Sequence, residues 1–401
     1  MRMKYAIIRE DKIPPDSRVV LTPSQVKQLL DQEYDIVVQR SRNRCFPDSA
    51  YEALGIPMVD DISDRDVLIG VKEVPKENIL PGKTYFMFSH TIKEQPYNQG
   101  LLRRIIAKKS SLIDYEMLTN QRGARVIAFG KFAGMVGAHN AMHTYGKRTG
   151  EFDLPRMNSI DDYKAAKEVY KTIKFPPVKI VLTGTGRVSG GAALVLSDMG
   201  IRKVTPLDFL EESYDEAVYS QLTVFYYVKR KDGSVFEKVE DFYNNPTDFE
   251  SEFEHYTHAA DIMINGIYWD PQAPAFFTAD QMKQKAFNIK VIADVTCDIA
   301  PESSIPSTLK ASTIKDPIFG YNPKNMKEDK PFQEDVVDMM TIDNLPNELP
   351  KDASEAFGNM FIEYVLPELS KNESEMVEMA TIVKKGRLGK YFEYLRDYAG
   401  L

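Results

Sequence analysis

The chain has 401 residues, 43% of them hydrophobic and 11% aromatic, and a formal net charge of -8. This length predicts two domains, each large enough to bury its own core. The acidic balance argues against a nucleic-acid partner, because phosphate binding requires a concentrated basic surface. The two cysteines, Cys45 and Cys297, form no CxxC pair. That spacing excludes a cysteine-based zinc site and is typical of a reducing compartment.

The N-terminal residues MRMKYAIIRE return to charge too soon for a secretory signal. No stretch of the chain reaches the uncharged length that a bilayer-spanning helix requires. We therefore expect a cytoplasmic protein whose partners are small molecules, with neither nucleic acid nor membrane among them.

The first third of the chain alternates apolar runs with amphipathic segments. Thr22-Pro23 predicts an N-cap followed by the first residue of a helix. The predicted strands are Tyr5–Ile8, Ile36–Val38, Val67–Ile69, Tyr85–Phe88 and Leu112–Ile113. Strands that alternate with helices indicate a parallel sheet covered on both faces.

A second α/β series begins at Val178, after a small-residue segment, Gly134–Tyr145, that is helical in character. Ile262–Ile264 and Val291–Ala293 predict further strands, and Ala353–Leu366 predicts an amphipathic helix. The fold class expected from this pattern is α/β, with two Rossmann-like domains whose parallel sheets flank a cleft.

Domain boundaries follow from the same pattern. We expect a substrate and catalytic domain at residues 1–132 plus 347–401, and a dinucleotide-binding domain at 133–346. Residues 214–258 are rich in charge and aromatic side chains, and we interpret them as an insertion in the second domain.

A glycine-rich turn gives the strongest functional signal. The apolar run Val178–Leu182 ends in TGTGRVSGGA, and a helical face follows. Strand, tight turn and helix in this order are typical of a dinucleotide site. Gly184 permits the turn, Gly186 lets the backbone approach a pyrophosphate, and Gly190 or Gly191 lets the helix lie close to the strand.

A carboxylate lies at the expected distance beyond this turn. A second strand, predicted over Lys203–Pro206, leads to Asp208, about twenty residues after the glycines. A carboxylate there would accept hydrogen bonds from the adenosine ribose, which favours NAD while leaving NADP open.

Two titratable side chains lie near predicted strand ends. Lys72 follows the Val67–Ile69 run and His90 follows the Tyr85–Phe88 run. Ligands bind at the carboxyl ends of strands in open α/β sheets, so an acid–base role and a structural role are about equally supported for each. His139 and His143 have metal-ligand spacing, but no third ligand is evident, so we expect helix packing and no metal.

Several sequence blocks resemble one known family. They are SRVVLTP, GVKEVP, FSHTIKEQ, IDYEML, RGARVIAFGKFAG, TGTGRVSGGA, INGIYW, TIDNLP and ELPKDASEAFG, in that order. The chain resembles the lysine-forming saccharopine dehydrogenases and, more closely, the lysine–ketoglutarate reductase half of the bifunctional animal and plant enzymes. Both belong with the alanine dehydrogenase and transhydrogenase group. The resemblance implies an NAD(P)-dependent oxidoreductase that interconverts saccharopine with L-lysine and 2-oxoglutarate through an imine.

The resemblance also implies roles for residues. Lys72 and His90 would be the acid–base pair, with Glu73 as a further group that tunes their charge. Substrate binding would involve Arg18, Lys93, Gln95, Glu116, Arg125, Phe129, Thr296, Cys297 and Asp298. Cofactor binding would involve Gly184, Gly186, Arg187, Asp208, Tyr268, Val295, Ile342, Asp343, Asn344 and Leu345.

Two positions depart from the family. Ala124 stands where the fungal enzyme has an arginine, and Glu73 follows Lys72 as in the fungal enzyme, whereas the reductase half has an arginine there. Cofactor preference and reaction direction therefore stay open. Two alternative functions also stay open: an alanine or other opine-type amino-acid dehydrogenase, and a non-catalytic NAD(H)-binding sensor.

Overall fold

The computed structural model describes residues 3–371 and 373–401. Its strands are β1 (Lys4–Ile7), β2 (Asp35–Gln39), β3 (Met58–Val59), β4 (Val67–Lys72), β5 (Thr84–Phe88), β6 (Ser111–Asp114), β7 (Lys179–Thr183), β8 (Arg202–Lys203), β9 (Val218–Leu222), β10 (Val228–Arg230), β11 (Phe249–Ser251), β12 (Ile262–Asn265), β13 (Val291–Asp294), β14 (Ile318–Asn322), β15 (Lys327–Asp329), β16 (Val337–Met340), β17 (Thr381–Lys384) and β18 (Arg387–Leu388).

The α-helices are α1 (Pro23–Asp31), α2 (Asp48–Glu52), α3 (Gln99–Ala107), α4 (Gly130–Thr149), α5 (Tyr163–Tyr170), α6 (Arg187–Asp198), α7 (Pro206–Glu211), α8 (Val239–Asn244), α9 (Glu254–Ala259), α10 (Pro350–Met360), α11 (Leu366–Leu369), α12 (Glu375–Ala380) and α13 (Arg396–Ala399). A π-helical segment, Phe361–Val365, separates α10 from α11. The amphipathic helix predicted over Ala353–Leu366 is thus interrupted in its second half.

The chain divides into two compact units. Unit 1 comprises Met1–Phe129 and Pro350–Leu401, and unit 2 comprises Gly130–Leu349. Helix α4 begins at Gly130, so the boundary expected after residue 132 falls within its first turn. No helix in the described part of the chain is long and apolar enough to cross a membrane.

Unit 1 is built on an eight-stranded sheet in the order β18-β17-β6-β5-β4-β1-β2-β3. Strands β1 to β6 are parallel, whereas β17 pairs antiparallel with β6. Alternate side chains of β1 enter two separate cores: Tyr5 and Ile7 pack on the α1 and α10 face, and Ala6 packs on the α3 face. The sheet is therefore covered on both faces, as predicted.

Helix α1 begins where the sequence predicts it. The Thr22 hydroxyl accepts from the Gln25 amide at 3.4 Å, and the Gln25 side chain accepts from the Thr22 amide at 2.9 Å. Pro23 occupies the first turn, where its missing N–H costs nothing. This reciprocal pair is a capping box, and it aligns the first helix on the sheet.

Unit 2 contains a second eight-stranded sheet in the order β15-β14-β16-β13-β12-β7-β9-β8. The strands from β16 to β8 are parallel, and β14 and β15 form an antiparallel edge. Both sheets are therefore mainly parallel, as expected, and each ends in an antiparallel edge. Helices α4 and α6 pack against one face, and α7 and α9 cover the other.

Two predictions for unit 2 need correction. The strand expected over Lys203–Pro206 is the short edge strand β8, and Pro206 begins α7 because Thr205 caps it. The segment 214–258 is only partly an insertion, since it contains β9, which pairs with β7 in the central sheet. The β10–β11 hairpin and α8 form the part that lies outside this sheet.

Candidate functional site

The carboxyl ends of four neighbouring parallel strands in unit 1 bring titratable side chains to one sheet edge. Lys72 ends β4, His90 lies two residues after β5, and Glu116 lies two residues after β6. Glu10 lies three residues after β1, on the other side of β4. Parallel strands end at the same edge, so the topology gathers these groups.

Burial and neighbouring charges shift both candidate acid–base groups. Burial, with Arg18 and Lys12 as cationic neighbours, lowers the pKa of Lys72 to about 8. Burial, with the positive charge of Lys72, lowers the pKa of His90 to about 4. Lys72 is therefore mainly protonated at neutral pH with a ready fraction of free amine, and His90 is neutral.

His90 is held in an unusual conformation. Its φ of 53° places it in the left-handed region, which costs a non-glycine residue about 1 kcal/mol or more. Its ring stacks beside Phe88 with centroids 6.5 Å apart. The Asp114 carboxylate joins the two strand ends, because it accepts from the amides of Ser89 at 2.9 Å and Glu116 at 2.8 Å. Burial raises the pKa of Asp114 to about 6.

Two arginines predicted to bind substrate lie in this unit. Arg125 is exposed, and its guanidinium lies 3.6 Å from the buried carboxylate of Glu116. Arg18 is buried, stacks over the Phe129 ring at 4.2 Å, and donates to both oxygens of Asp16 at 3.0 and 2.6 Å. Arg18 thus already serves one carboxylate, and its role toward a substrate stays a prediction.

The remaining predicted residues of unit 1 are less closely tied to this edge. Lys93 is exposed, in the short helical turn after His90, and its charge acts on His90. The Gln95 side chain accepts from the Tyr97 hydroxyl at 2.6 Å. Glu73 pairs with Lys12 at 2.7 Å. The structure therefore brings Arg18, Lys72, His90, Glu116 and Arg125 together more firmly than Gln95.

The sequence reasoning missed Glu10 and Asp16. Glu10 accepts from the amides of Val71 at 2.6 Å and Lys72 at 2.9 Å, and burial raises its pKa to about 8. The strand-end rule that identified Lys72 and His90 would also have indicated Glu10 if applied to β1. Asp16, two residues before Arg18, had only proximity as a signal.

The glycine turn of unit 2 has the geometry that a pyrophosphate requires. Gly184 has a φ of 91°, and a Cβ there would lie 3.0 Å from the Gly266 carbonyl oxygen. A Cβ on Gly186 or Gly190 would meet nothing within 4 Å, so the glycines leave open space in front of α6. The N-terminus of a helix favours an anion, so the residues present fit a dinucleotide.

One glycine has a different role from the one predicted. A Cβ on Gly191 would lie 2.0 Å from the Lys131 carbonyl oxygen, and one on Gly134 would lie 1.7 Å from the Val188 carbonyl oxygen. Gly191 therefore allows α6 to approach α4, not the strand. The two helices pack backbone against backbone behind the turn.

The other predicted cofactor residues follow the strands beside β7. Arg187 is the first residue of α6, Tyr268 follows β12, Val295 follows β13, and Ile342–Leu345 follow β16. All four strands are parallel neighbours, so these residues lie along one edge with the glycine turn. Their roles toward a cofactor stay predictions.

Asp208 does not occupy the position expected for it. It lies in the first turn of α7, after β8, and β9 intervenes between β8 and β7. The side chain beside the glycine turn is Gln221 of β9, which donates to the Gly184 carbonyl at 3.0 Å and accepts from Lys203 at 2.8 Å. A ribose role for Asp208 has no support from the strand order.

The predicted substrate-binding residues 296–298 form hydrogen bonds within unit 2. The Thr296 hydroxyl donates to Asp294 at 2.7 Å, and the Cys297 thiol lies 3.3 Å from the carbonyl oxygens of Thr341 and Ile342. Burial raises the pKa of the Cys297 thiol well above its ordinary value, so this thiol is unreactive. Asp298 has contacts of its own.

A buried polar network connects the strand ends around the turn. The Thr183 hydroxyl donates to Asn265 at 2.8 Å, and Asn265 donates to Asp294 at 3.0 Å. The three side chains belong to β7, β12 and β13 and are fully buried. A satisfied network of this kind fixes the edge to which the turn belongs.

An aromatic cavity of about 330 Å³ adjoins the turn. It is lined by Tyr227 and Tyr243 from the insertion and by Ile267, Tyr268 and Trp269 after β12. The Cα of Ile267 would lie 3.3 Å from a Cβ on Gly184, so the cavity lining begins at the turn itself. Tyr268 is 88% exposed.

The histidines outside this edge have structural surroundings. His139 is fully buried between the Tyr170 hydroxyl at 2.8 Å and the Pro155 carbonyl at 2.7 Å, and His143 contacts the Leu154 carbonyl. His255 and His258 are exposed. Within residues 3–371 and 373–401, no group of three His, Cys, Asp or Glu side chains is arranged to hold a metal ion.

Comparisons with known proteins first define the class. Residues 6–136 match the family model described as alanine dehydrogenase/PNT, N-terminal domain. A solved L-alanine dehydrogenase matches with a TM-score of 0.65 over 99% of this chain and 100% of its own, at 15% identity. That likeness shows the fold alone, and it confirms the expected α/β class with Rossmann-like units.

Sequence similarity to individual proteins gives more specific information than the likeness in fold. Mitochondrial alpha-aminoadipic semialdehyde synthase of Bos taurus is 30% identical over 98% of this chain, and the match covers 47% of that protein. The NAD(+)-dependent, L-lysine-forming saccharopine dehydrogenase of Schizosaccharomyces pombe is 28% identical over 90% of this chain and 91% of its own. The chain thus spans about half the length of the first relative. The chain is thus similar in sequence to the lysine-forming saccharopine dehydrogenases, which confirms the resemblance predicted from its motifs.

Proposed function

We propose that this protein is an oxidoreductase that interconverts saccharopine with L-lysine and 2-oxoglutarate, using NAD(H). The observation that carries the proposal is the placement of Lys72 and His90 at the ends of adjacent parallel strands, within electrostatic reach of each other. The similarity along nine-tenths of a relative with that printed activity supports the choice of substrate.

In the direction of saccharopine formation, the ε-amine of lysine attacks the carbonyl carbon of 2-oxoglutarate. The Lys72 ammonium donates a proton to the carbonyl oxygen and regains one from the substrate amine. A second transfer of the same kind lets the oxygen leave as water when the imine forms. The glycine turn would hold the dinucleotide, which as NADH would supply the hydride that the imine carbon requires. A pKa of about 8 suits Lys72 for giving and regaining a proton near neutral pH.

His90 would hold the proton of the substrate's secondary amine. With a pKa of about 4 its ring is neutral, so it can accept a proton and pass it on. Glu116 would stabilise the transient positive charge on this pair, since its carboxylate raises the pKa of His90 against the cations. Arg125 and Arg18 would bind carboxylates of a substrate that carries several.

The proposal is tested by lysine-dependent oxidation of NADH in the presence of 2-oxoglutarate. We expect Lys72→Met to lower kcat by a factor of about 100 or more, because acid–base catalysis contributes that much. Lys76→Met is the matched control, since Lys76 is an exposed lysine just beyond the same strand. No turnover of lysine with 2-oxoglutarate or another keto acid would contradict the proposal.

Two further assays distinguish the alternative functions. Turnover of pyruvate with ammonia in place of the larger substrates would indicate an alanine dehydrogenase. NADH binding without turnover of any substrate pair would indicate a sensor. NADPH in a parallel series decides cofactor preference. The cytoplasmic location expected from the sequence stays a prediction, and cell fractionation would test it.

A further inference from the structure

Strand β4 extends beyond its partner β1 just where Lys72 enters the site. Pairing between the two strands ends at Ile7 and Ile69, with one more bond from the Ile8 amide to the Ile69 carbonyl at 3.0 Å. The chain then leaves the sheet, whereas β4 continues through Gly70 and Val71 to Lys72. The end of β4 therefore needs other partners for its backbone.

Glu10 supplies those partners from the segment that follows β1. Its Oε1 accepts from the Val71 amide at 2.6 Å, and its Oε2 accepts from the Lys72 amide at 2.9 Å. Successive amides of a regular strand point to opposite sides, so one carboxylate reaches both only where the strand is irregular. The pairing of β4 with β5 does shift register between Ile69 and Lys72.

Tyr115 holds the same strand end from the short helical turn that follows β6. Its hydroxyl donates to the Gly70 carbonyl at 2.9 Å. Gly70 packs closely against the segment after β1 and leaves no room for a side chain, because a Cβ there would lie 2.9 Å from Ile8 Cδ1 and 3.3 Å from Glu10 Oε1. Residues 70, 71 and 72 are thus each fixed by a side chain outside their own strand.

We propose that Glu10 is a positioning residue for Lys72, which sets the backbone at the end of β4 and so fixes where the Lys72 amine lies. The inference rests on the proposed function, in which Lys72 is the acid–base group. Glu10 contacts Lys72 through the backbone amide, and the largest charge effects on the amine come from Arg18, Lys12, Asp16 and Glu73.

The charged groups around Glu10 and Lys72 determine how the loss of Glu10 would change the pKa of Lys72. Asp16 and Arg18, from the loop after β1, act on the Glu10 carboxylate, and the Glu10 charge in turn acts on Tyr115. His90, after β5, faces Lys72. Burial is the largest cause of the low pKa of Lys72, so an amine released from its fixed position gains water and its pKa rises toward 10.5.

The test uses Glu10→Gln, whose amide keeps one acceptor but turns a donor toward the second backbone N–H. Glu77→Gln is the control, because Glu77 is an exposed glutamate a few residues after β4. We expect kcat to fall about tenfold or more while KM for lysine and 2-oxoglutarate changes less than about twofold, since misplacing a catalytic group by 1 Å costs up to about 100-fold.

A second readout needs no turnover. The rate at which Lys72 is acetylated by an amine-reactive ester, followed by peptide mass spectrometry across pH 6 to pH 11, gives the pKa of the amine directly. We expect the midpoint of this curve to rise in Glu10→Gln and to stay at the wild-type value in Glu77→Gln. A purely structural loss would lower the folded fraction without moving the midpoint.

Tyr115→Phe removes only the bond to Gly70 and gives a second, milder variant if Glu10→Gln does not fold. We expect a midpoint shift in the same direction and of smaller size. An unchanged midpoint in both variants would overturn the inference, and a lower midpoint would do so too, because it would show a direct charge effect. If the wild type does not turn over lysine, the proposed function fails while the acetylation curves still decide the role of Glu10.

Discussion

At the scale of single residues, the same cause shifts both groups of the candidate acid–base pair. Burial disfavours the charged forms of Lys72 and His90, and each lies among further cations. The shifts leave Lys72 titrating near pH 8 and His90 near pH 4. An amine and an imidazole with these values can exchange protons with substrate at neutral pH without both carrying charge.

The pKa of Lys72 predicts how the rate of saccharopine oxidation depends on pH. In the proposed mechanism Lys72 must be unprotonated to accept a proton in that direction, so kcat/KM should rise with pH and level off above about 8. Lys72→Arg keeps the positive charge but stays protonated, so this ionisation should vanish from the profile. Initial rates from pH 5.5 to pH 10 with saccharopine and NAD measure it. A wild-type profile in the arginine variant would assign the ionisation to another group.

At the scale of elements, the packing of α4 on α6 positions the glycine turn. Backbone approach at Gly134 and Gly191 leaves no space for a side chain at either position. Gly190, the neighbour of Gly191 on the same helix, faces open space. Two adjacent glycines in TGTGRVSGGA therefore serve different purposes, one for helix packing and one for the open side of the turn.

The contrast predicts different effects of the same substitution. Gly191→Ala should destabilise the protein by about 1–3 kcal/mol, because the methyl group forces the helices apart. Gly190→Ala should be neutral or stabilising by about 0.5–1 kcal/mol, as alanine favours a helix interior. Urea unfolding followed by circular dichroism gives both values. Equal losses in the two variants would contradict the assignment of Gly191 to the helix contact.

At the scale of the whole molecule, polar groups far apart in the sequence meet in buried clusters. Glu348 is fully buried, forms an ion pair with Arg156, and accepts from Asn140 at 3.0 Å. Arg156 also donates to the Ile314 carbonyl at 2.6 Å. Four separate segments of unit 2 are joined at this point.

Breaking the Arg156–Glu348 ion pair should lower the free energy of unfolding much more than breaking an exposed ion pair. Glu348→Gln leaves the Arg156 charge buried without its counterion, so we expect a loss of about 3 kcal/mol or more in the free energy of unfolding. Glu168→Gln is the control, because Glu168 and Lys171 are both exposed. We expect no measurable change there. Similar urea midpoints for the two variants would contradict the buried pair's role.

Features that depend on near neighbours in the chain can be predicted from the amino-acid sequence. The Thr22 capping box, the Gly184 turn after an apolar strand, and Lys72 at the end of β4 all follow from a few consecutive residues. Their conformations depend on local backbone preferences, which act within one or two turns of chain. The motifs likewise indicated the resemblance to saccharopine dehydrogenases that the comparisons then confirmed.

Features that depend on strand order and burial become visible in the folded chain alone. Strand β9 lies between β7 and β8, which moves Asp208 away from the glycine turn. Glu10 reaches the end of β4 from 61 residues away, and Asn265 meets Asp294 and Thr183 inside unit 2. Pairing of distant segments is selected by the burial of the whole sheet, and no short pattern records that choice.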